Sequence, residues 1–404
     1  MPEVRRLLPE STCRSDPASP ARFTERGWDR AMERALSMDP DEIIADVKAS
    51  GIKGRGGAAF PTGVKWESVK KALGDMRYVV MNADESELGT FKDRALLQHD
   101  PLGALVGVLI AAHAVDAQKA YCYIRGEYRQ AEGRLKDALG TLRQLGWVGP
   151  NGVDIEIRRG AGAYIAGEET ALLNSIEGKR AEPRVKPPFP TNQGLWGRPT
   201  LIQNVETLAN VAVLLAHDVN WFKEYGSSDT SGTKLIGLSG HVRRPGVYEV
   251  PFGYPLANLL NDSDLGGGVA GSQRLGAILI GGAAGTFLSS DEINDSVLDY
   301  ASLARYGANI GSGALMVFDD TVDLRWVLRK LARFFSDESC GQCVPCRIGT
   351  RRVLELIEHG GLTTRQDDLR ELSQAMRDAS ICGLGQTAPV ALLSLLDRPD
   401  LIQG

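Results

Sequence analysis

The chain has 404 residues, with 46 Lys and Arg against 51 Asp and Glu, and its formal net charge is −5. This near balance excludes the strongly basic surface that nucleic-acid binding requires. A content of 43% hydrophobic and 24% charged residues is typical of a globular protein with about two to four domains. Six cysteines are too few for a disulfide scaffold. Glycine is in excess, with 46 residues against an average share of about 7%, which indicates backbone brought close to ligands.

The N-terminal region, residues 1–35, is rich in Pro, Ser and Arg, and we interpret it as an extended arm or pairing segment. It has no apolar run typical of a secretory signal. Asp39-Pro40-Asp41-Glu42 predicts the start of a helix, with a capping oxygen, an early proline and acids at the positive end of the dipole. The longest apolar stretch, Pro101–Val115, is shorter than the ~20 residues of a membrane span, so we expect no direct membrane insertion.

Residues 36–217 predict one α/β domain. Short β-type runs alternate with helical patterns, which is typical of βαβ units and a mainly parallel sheet. The predicted strands are Arg77–Met81, Ala120–Ile124 and Val153–Ile157, and the predicted helices are Asp100–Val115 and Glu127–Leu145.

Residues 218–233 are polar and are interpreted as a linker. A compact α+β module follows over 234–319, and residues 320–404 are predicted to be helical, with one apolar face at a spacing of three to four residues. The predicted strands are Lys234–Leu238, Gly246–Val250, Ala277–Ile280 and Ala314–Phe318, with a helix at Leu256–Leu260; the apolar face is Leu324, Val327, Leu328, Leu331, Phe334 and Phe335.

The strongest chemical signal is a cysteine motif in the helical region. Cys340, Cys343 and Cys346 form C-x2-C-x2-C, and Cys382 follows within Cys-Gly-Leu-Gly. Four thiolates, one for each iron, suit a 4Fe–4S cluster; a structural zinc site or free thiols are the alternatives. Cys122 alternates within an apolar strand and is interpreted as a core residue, and Cys13 lies in the N-terminal arm.

Three arginines, Arg347, Arg351 and Arg352, follow the cysteines on the next predicted helix. We hypothesise that they offset the negative charge of the cluster and raise its affinity for an electron. The alternative is that they lie on a solvated helix face.

Two glycine-rich loops predict a phosphate or nucleotide site. GRGGAAFPTGVKW (54–66) combines close-approach glycines with Arg55 and Lys65, but it matches neither the Walker A nor the G-x-G-x-x-G pattern. NADESE (82–87) follows a strand directly, where ligands of parallel sheets bind. In the second loop, GAGAYIAGEET (160–170), Glu168 and Glu169 are either helix-dipole acids or hydrogen-bond partners of ribose hydroxyls or a carboxamide.

These motifs, together with NADESELGTFKDR, KPPFPTNQGLWGRPT, NVETL and ESCGQCVPCR…CGLG, occur in the order typical of one family. Over roughly residues 36–404 the chain resembles the 51-kDa-type, flavin- and NADH-binding subunit of respiratory complex I. It is equally similar to the corresponding diaphorase subunits of NAD-linked formate dehydrogenases and hydrogenases. The resemblance implies a Rossmann-like FMN domain, a ubiquitin-like β-grasp (SLBB-type) module and a C-terminal helical bundle that carries the cluster.

The resemblance also implies the site residues. The cluster ligands would be Cys340, Cys343, Cys346 and Cys382. NAD(H) would contact Phe60, Glu87, Glu168, Glu169 and Phe189, with Glu87 as the catalytic-site residue whose negative charge lowers the flavin potential. FMN would be held by Gly54, Arg55, Gly56, Gly57, Lys65, Asn82, Asp84, Glu85, Tyr164, Gly167, Ile202, Gln203 and Asn204.

The implied function is NADH dehydrogenase activity: hydride exchange between NAD(H) and FMN, then one-electron transfer through the 4Fe–4S cluster. Expected partners are a thioredoxin-like 2Fe–2S subunit and a further iron–sulfur, formate dehydrogenase or hydrogenase catalytic subunit. The expected location is cytoplasmic, peripheral to the inner face of the membrane through those partners.

Leu88, Ile348 and the Gly after Cys382 are closer to the formate dehydrogenase and hydrogenase types. The alternatives are a ferredoxin:NAD oxidoreductase subunit or a non-catalytic β-grasp adaptor with structural zinc.

Overall fold

A computed structural model describes residues 4–9, 15–149, 152–228 and 230–402; Cys13 lies outside them. The first part of the chain forms a four-stranded, wholly parallel sheet in the order β3-β2-β1-β4. Its elements are α1 Pro20–Glu25, α2 Trp28–Ser37, α3 Pro40–Ala49, α4 Thr62–Lys71, β1 Tyr78–Ala83, α5 Lys92–His99, α6 Pro101–Ala114, β2 Lys119–Ile124, α7 Arg129–Gln144, β3 Asp154–Arg159, α8 Glu169–Ile176, α9 Pro190–Gln193, β4 Thr200–Asn204, α10 Val205–Ala216 and α11 Val219–Lys223.

The predicted α/β pattern of this part is confirmed. The three predicted strands are β1, β2 and β3, and the two predicted helices are α6 and α7. Asp39 caps α3 in a reciprocal capping box with Glu42. The sequence did not predict β4, which pairs with β1 and brings Asn204 level with Asn82.

Within residues 1–35, which were expected to be an extended arm or pairing segment, the structure has helix α1 and most of helix α2. Trp28 is buried, and its indole N–H donates to Oδ1 of Asp100 at 3.1 Å. Arg26 pairs with the same carboxylate at 2.7 Å. The weak periodicity of this segment concealed a helix that buries one face against the α/β core.

The segment predicted to be a linker, residues 218–233, contains the short helix α11. Asp218 caps α11, and Phe222 on that helix is buried. The predicted polar segment therefore packs against the first domain before the next strand begins at Thr233.

The second sheet has five strands in the order β6-β5-β9-β7-β8, and β5 pairs in parallel with β9 but antiparallel to β6. The four predicted strands and the predicted helix are confirmed, whereas β8 was not predicted. The elements are β5 Thr233–Gly240, β6 Gly246–Pro251, α12 Leu256–Asn261, β7 Leu275–Ile280, β8 Thr286–Leu288, α13 Ser290–Asn294, α14 Tyr300–Ala304 and β9 Ala314–Asp319.

The C-terminal region is helical, as predicted. Five of the six apolar positions predicted on α15 are buried, and Phe334 is partly exposed. The helices are α15 Leu324–Glu338, α16 Val344–Glu358, α17 Gly361–Thr364, α18 Gln366–Ala379, α19 Gly383–Thr387 and α20 Val390–Leu396.

Within the described ranges, no single helix is long and apolar enough to cross a membrane. One pair, α5 and α6, passes the test together by length and composition, with a bend of 98° between the two helices. Nearly every residue of α6 is buried inside the fold.

Candidate functional site

A cavity of about 440 Å³ lies where the three parts of the chain meet. Its walls come from the first glycine loop, the carboxyl ends of β1 and β4, turns of the second sheet and the first turn of α19. The lining residues are Gly56, Gly57, Ala58, Asn82, Asp84, Glu85, Ser86, Glu87, Thr90, Lys92, Asp93, Tyr164, Ile165, Gly167, Glu168, Asn204, Gly281, Ala284, Asn309, Gly311, Ser312, Gly383, Leu384 and Thr387.

The cavity brings together ten residues that the sequence predicted for the site: Gly56, Gly57, Asn82, Asp84, Glu85, Glu87, Tyr164, Gly167, Glu168 and Asn204. The other eight do not line it: Gly54, Arg55, Phe60, Lys65, Glu169, Phe189, Ile202 and Gln203. The sequence did not predict that turns of the second sheet line the cavity, because no local signal shows that these turns fold back onto the first domain. It also assigned no role to Lys92.

The glycine loop presents backbone to the cavity. A Cβ placed on Gly56 would lie 3.1 Å from the Cβ of Asn204, so the loop and the end of β4 approach each other closely only without a side chain there. The Arg55 side chain turns the other way: it is fully buried, donates to the carbonyl of Ser231 at 2.9 Å and lies over the Phe252 ring. Its position supports a role in holding the loop against the second sheet.

Asp84 carries an unpaired buried atom beside this cradle. Its Oδ2 accepts from the Ser86 hydroxyl at 2.8 Å, but its Oδ1 has no hydrogen-bond partner among the described residues. Burial raises the pKa of the Asp84 carboxyl to about 7. Because a buried polar atom without a partner is costly, this oxygen fits a ligand with hydrogen-bond donors, such as a flavin ring.

A hydrogen bond between Asn82 and Gly167 connects the end of β1 to the second glycine-rich loop. The Asn82 amide donates to the Gly167 carbonyl at 2.8 Å, and its Oδ1 accepts from the backbone N–H of Asp84 at 3.1 Å. The glycine cradle, the orphaned Asp84 oxygen and the buried cation Lys92 together fit a phosphate-bearing, hydrogen-bonding ring cofactor. The described residues are therefore compatible with FMN.

Glu85 serves the scaffold as well as the cavity wall. Its two carboxylate oxygens accept the backbone N–H groups of Asp93 and Arg94 at 2.8 and 2.9 Å, which satisfies free donors at the start of α5. Burial raises the pKa of Glu85 to about 7, and the neighbouring Asp93 acts in the same direction.

Glu168 and Glu169 of the second glycine-rich loop have different partners. Glu168 caps α8, accepting the backbone N–H groups of Thr170 and Ala171 at 2.8 and 2.9 Å, so the helix-dipole interpretation describes its position. Glu169 is held by Lys65 at 3.1 Å and by Lys186 at 3.0 Å. Burial opposes the effect, but these two cations lower the pKa of Glu169 below its ordinary value. Lys186, which also pairs with Glu168 at 3.0 Å, was not predicted.

Two predicted aromatic contacts are exposed. Phe60 is 53% and Phe189 is 52% accessible, and both lie outside the cavity lining. Exposed rings of this size are available for stacking on a flat ligand.

The predicted cysteine ligands lie together at one end of the helical region. Cys346 and Cys382 are buried, and Cys340 and Cys343 pack partly buried against the same core. Burial raises the pKa of the Cys346 thiol to about 11, and the thiols of Cys343, Cys382 and Cys340 act in the same direction. A Cβ placed on Gly385 would lie 2.8 Å from that of Cys346, so the two cysteine segments touch.

The donor set fits a polynuclear cluster. Among the described residues, no group of three or more His, Cys, Asp or Glu side chains is found in an arrangement that could hold a metal ion. A cubane cluster takes one thiolate on each of four irons, and the four cysteines supply that number of thiols. Cys122 is fully buried on β2, away from this group, and burial raises its pKa to about 12, so the interpretation as a core thiol is confirmed.

Basic groups contact the cysteine loop. Arg347 donates to the Gly341 carbonyl at 2.7 Å, and Arg180, which carries no sequence signal of its own, donates to the Cys340 carbonyl at 2.9 Å. Arg352 pairs with Glu355 at 2.8 Å and is partly compensated.

The cavity and the cysteine group share α19. Cys382 precedes this helix, and the backbone N–H groups of Leu384 and Gly385 hydrogen-bond to it, while Gly383 and Leu384 line the cavity. Tyr164, also on the cavity wall, packs its ring 5.2 Å from that of Phe334 on α15. The fold and the site thus define a redox protein in which a flavin-type pocket adjoins an iron–sulfur-type thiol group.

Comparison with known proteins agrees with this class. Residues 47–213 match the family model described as the Nuo51 FMN-binding domain. Residues 326–398 match the NADH-ubiquinone oxidoreductase-F iron-sulfur binding region, and residues 235–275 match the SLBB domain.

Full-length relatives agree as well. The F subunit of NADH-quinone oxidoreductase from Aquifex aeolicus is 42% identical over 386 residues, covering 93% of this chain and 88% of the relative. The F 2 subunit of the Rhizobium meliloti enzyme of the same name is 42% identical over 92% of this chain and 90% of the relative. The NADP-reducing hydrogenase subunit HndC of Solidesulfovibrio fructosivorans is 40% identical over 92% of this chain and 77% of the relative.

Among solved structures, an NAD+-reducing [NiFe]-hydrogenase in the H2-reduced state matches with a TM-score of 0.84 and 37% identity over 94% of this chain; the match spans 64% of that hydrogenase chain. The chain therefore belongs to the family of NADH-quinone oxidoreductase F subunits. It is an oxidoreductase with FMN, 4Fe–4S and NADH as its cofactors and substrate, and the zinc-adaptor alternative is wrong.

Proposed function

We propose that this chain is the NADH-oxidising (diaphorase) subunit of a larger assembly, which exchanges electrons with a partner subunit through its 4Fe–4S cluster. The observation that carries the proposal is α19, whose first turn borders both the cavity and Cys382. Gly383 and Leu384 would therefore connect the wall of the cofactor cavity to Cys382, a residue that would hold the cluster.

The cofactor supplies the difficult chemistry: bound FMN accepts a hydride from NADH and releases electrons one at a time. The chain binds, orients and shields it, and no general acid or base is required of the protein. Gly56, Gly57 and Asn204 would cradle the phosphate end, with Lys92 as the nearby cation. Asn82, Asp84, Glu85, Tyr164 and Gly167 would line the ring.

The remaining predicted contacts act at the margin of the cavity. We assign Gly54, Arg55, Ile202 and Gln203 to shaping the two loops from behind, since Arg55 and Gln203 are buried and do not line the cavity. Lys65 forms a salt bridge with Glu169 in the structure. It would contact a ligand only after this salt bridge breaks.

For NAD(H), we propose that the exposed rings of Phe60 and Phe189 stack on the flat rings of the dinucleotide. Glu168 and Glu169 would accept hydrogen bonds from sugar hydroxyls, and Lys186, bound to both, holds the two carboxylates in place. Glu87 would lie at the nicotinamide and flavin ring.

The proposed partners are a thioredoxin-like 2Fe–2S subunit and a further iron–sulfur, hydrogenase or formate dehydrogenase catalytic subunit. Named relatives occur both in NADH-quinone oxidoreductase and in NADP-reducing hydrogenase, which supports an assembly of one of these kinds. We propose a cytoplasmic position, with any attachment to the membrane provided by the partners.

The test is to purify the tagged full chain with its native assembly and to measure NADH oxidation with an artificial acceptor. The assembly is then supplied with hydrogen, formate or a quinone in turn. We expect NADH oxidation by the chain and coupling to one of the three; a preparation that reduces only ferredoxin supports the ferredoxin:NAD oxidoreductase alternative, and one that never oxidises NADH contradicts the proposal.

A further inference from the structure

The Glu87 carboxyl is held largely by the second sheet rather than by its own domain. Its Oε1 accepts the backbone N–H of Ala284 at 3.1 Å. The hydroxyls of Ser312 and Thr90 hydrogen-bond to each other at 2.7 Å, which leaves one hydroxyl proton of the pair to donate to Glu87, and both hydroxyls lower the pKa of that carboxyl. Ala284 and Ser312 both belong to turns of the β-grasp module, so the module contributes two of the three polar contacts.

The turn after β7 is shaped around this carboxyl. A Cβ placed on Gly282 would lie 2.5 Å from Cδ of Glu87 and 2.7 Å from each carboxylate oxygen, and φ there is +83°. A side chain at this position would clash and would strain the backbone. Glycine therefore allows the turn to enclose Glu87.

Ser312 is itself fixed from behind. Its carbonyl accepts from the buried Nζ of Lys234 at 3.3 Å, and the same Nζ donates to Glu206 at 2.6 Å. Ser312 is buried and lines the cavity. The backbone of Ser312 is thereby held in place, and its hydroxyl contacts that of Thr90.

We propose that Ser312 is a positioning residue for NADH oxidation: together with Thr90 it fixes the Glu87 carboxyl at the cavity wall and stabilises its ionised form. The inference rests on the proposed function, because that function assigns Glu87 to the nicotinamide and flavin site. With Ser312 in this role, the β-grasp module forms part of the active site and also connects the domains.

The surroundings of Glu87 make its protonation sensitive to the Ser312 hydroxyl. Burial raises the pKa of Glu87 to about 7, while the Ala284 N–H and the hydroxyls of Ser312 and Thr90 oppose that rise. The titratable group facing it is the phenol of Tyr164, and no basic side chain of the described residues contributes to its surroundings. Glu87 is therefore only partly ionised at neutral pH, and loss of a donor shifts it toward the protonated form.

The first measurement is the pH profile of kcat/KM for NADH, with an artificial acceptor and the cofactor-loaded full chain. Wild type is expected to show an inflection near neutral pH that Glu87→Gln abolishes. Ser312→Ala should raise the inflection by about half to one pH unit, the effect of losing one hydrogen bond to a carboxylate. Ser312→Thr, which restores the hydroxyl, should return it. Ser272→Ala, an exposed serine of the same module, is the matched control and should leave it unchanged.

The second measurement is independent of turnover. Infrared difference spectra between acidic and alkaline pH report the protonated carboxyl band, and the band lost in Glu87→Gln is assigned to Glu87. Its midpoint should move upward in Ser312→Ala and return in Ser312→Thr. If Ser312→Ala lowers activity or stability while both midpoints stay at their wild-type values, the role of Ser312 is packing and the inference is overturned. If wild type fails to oxidise NADH, the proposed function fails, whereas the infrared titration still decides the Ser312–Glu87 relationship.

Discussion

The Nζ of Lys92 lies 2.9 Å from Oε2 of Glu206, and both side chains are fully buried. Lys234 approaches the same oxygen at 2.6 Å from the second sheet, and Asp93 binds Lys92 at 2.6 Å. Burial opposes the effect, but Asp93 and Glu206 raise the pKa of Lys92. This buried network joins the α/β domain to the β-grasp module, and Lys92 and Asp93 form part of the cavity wall.

Loss of one member of the network should be costly, because it leaves a buried charge without its partner. We expect Lys92→Met to lower the free energy of unfolding by about 3–5 kcal/mol, measured by denaturant titration. The double variant Lys92→Met/Asp93→Asn should recover part of this loss, because Glu206 keeps Lys234 as its partner. Lys71→Met, at an exposed pair with Glu67, is the control and should change stability by less than about 1 kcal/mol. Equal effects of the two single variants would contradict the network's importance.

Glu249 should make stability depend on pH. It is fully buried, accepts the backbone N–H groups of Leu7 and Leu8 at 2.8 and 3.1 Å, and burial raises its pKa from 4.5 to about 7. Between those pH values the folded chain holds the proton more tightly than the unfolded chain, so this group's contribution to stability falls as pH rises.

Glu249→Gln removes that titration. Near pH 5, Glu249→Gln is expected to lower the free energy of unfolding by about 1–3 kcal/mol relative to wild type, because the hydrogen bonds are weakened. Near pH 8 the decrease should be smaller. Exposed Glu67, whose pKa is lowered to about 2 by hydrogen bonds from Lys48 and Lys71, provides the control: the effect of Glu67→Gln should be the same at both pH values. A cost of Glu249→Gln that grows with pH would refute this assignment.

The thiol group makes a direct prediction. Cys382→Ser should reduce the bound iron and the broad visible absorbance of the purified chain, because a cubane cluster needs a thiolate at each iron. Cys122→Ala removes a buried thiol of β2 and should keep full iron content, with only a modest loss of stability. Iron analysis of the two variants side by side is the measurement, and intact iron in Cys382→Ser would exclude that residue as a ligand.

Arg347 should tune the cluster. Its guanidinium binds the Gly341 carbonyl inside the cysteine loop, so Arg347→Ala is expected to lower the midpoint potential by roughly 20 to 40 mV, the equivalent of about 0.5–1 kcal/mol for a one-electron couple. Arg352→Ala should shift it less, since Glu355 already compensates Arg352. Redox titration followed by electron paramagnetic resonance measures both, and an unchanged potential in Arg347→Ala favours the solvated-face alternative.

Much of the fold could be predicted because its signals are local. Alternating β runs and amphipathic helices identified β1, β2 and α15, and the four cysteines lie in two short motifs. The rest depends on long-range contacts. β4 and β8 are short strands defined by their neighbours, and α2 is a helix because Trp28 meets Asp100, more than seventy residues away.

The same division applies to the site. Residues on glycine loops and after strands, such as Gly56 and Asp84, carry a sequence signature. Ser312 and Ala284 do not, because only the docking of the two domains gives them a role at the cavity. Arg55 shows the converse: its place in a glycine loop suggested a ligand contact, whereas its side chain is buried against Phe252.

The most direct test of the central claim is anaerobic addition of NADH to the purified, cofactor-loaded chain without partners, followed by absorbance and electron paramagnetic resonance. We predict that the flavin absorbance bleaches and that a reduced 4Fe–4S signal appears, with Cys382→Ser showing the bleaching alone. Bleaching without any cluster signal in wild type, or no bleaching at all, would contradict an electron path from the cavity through α19 to the cysteine group.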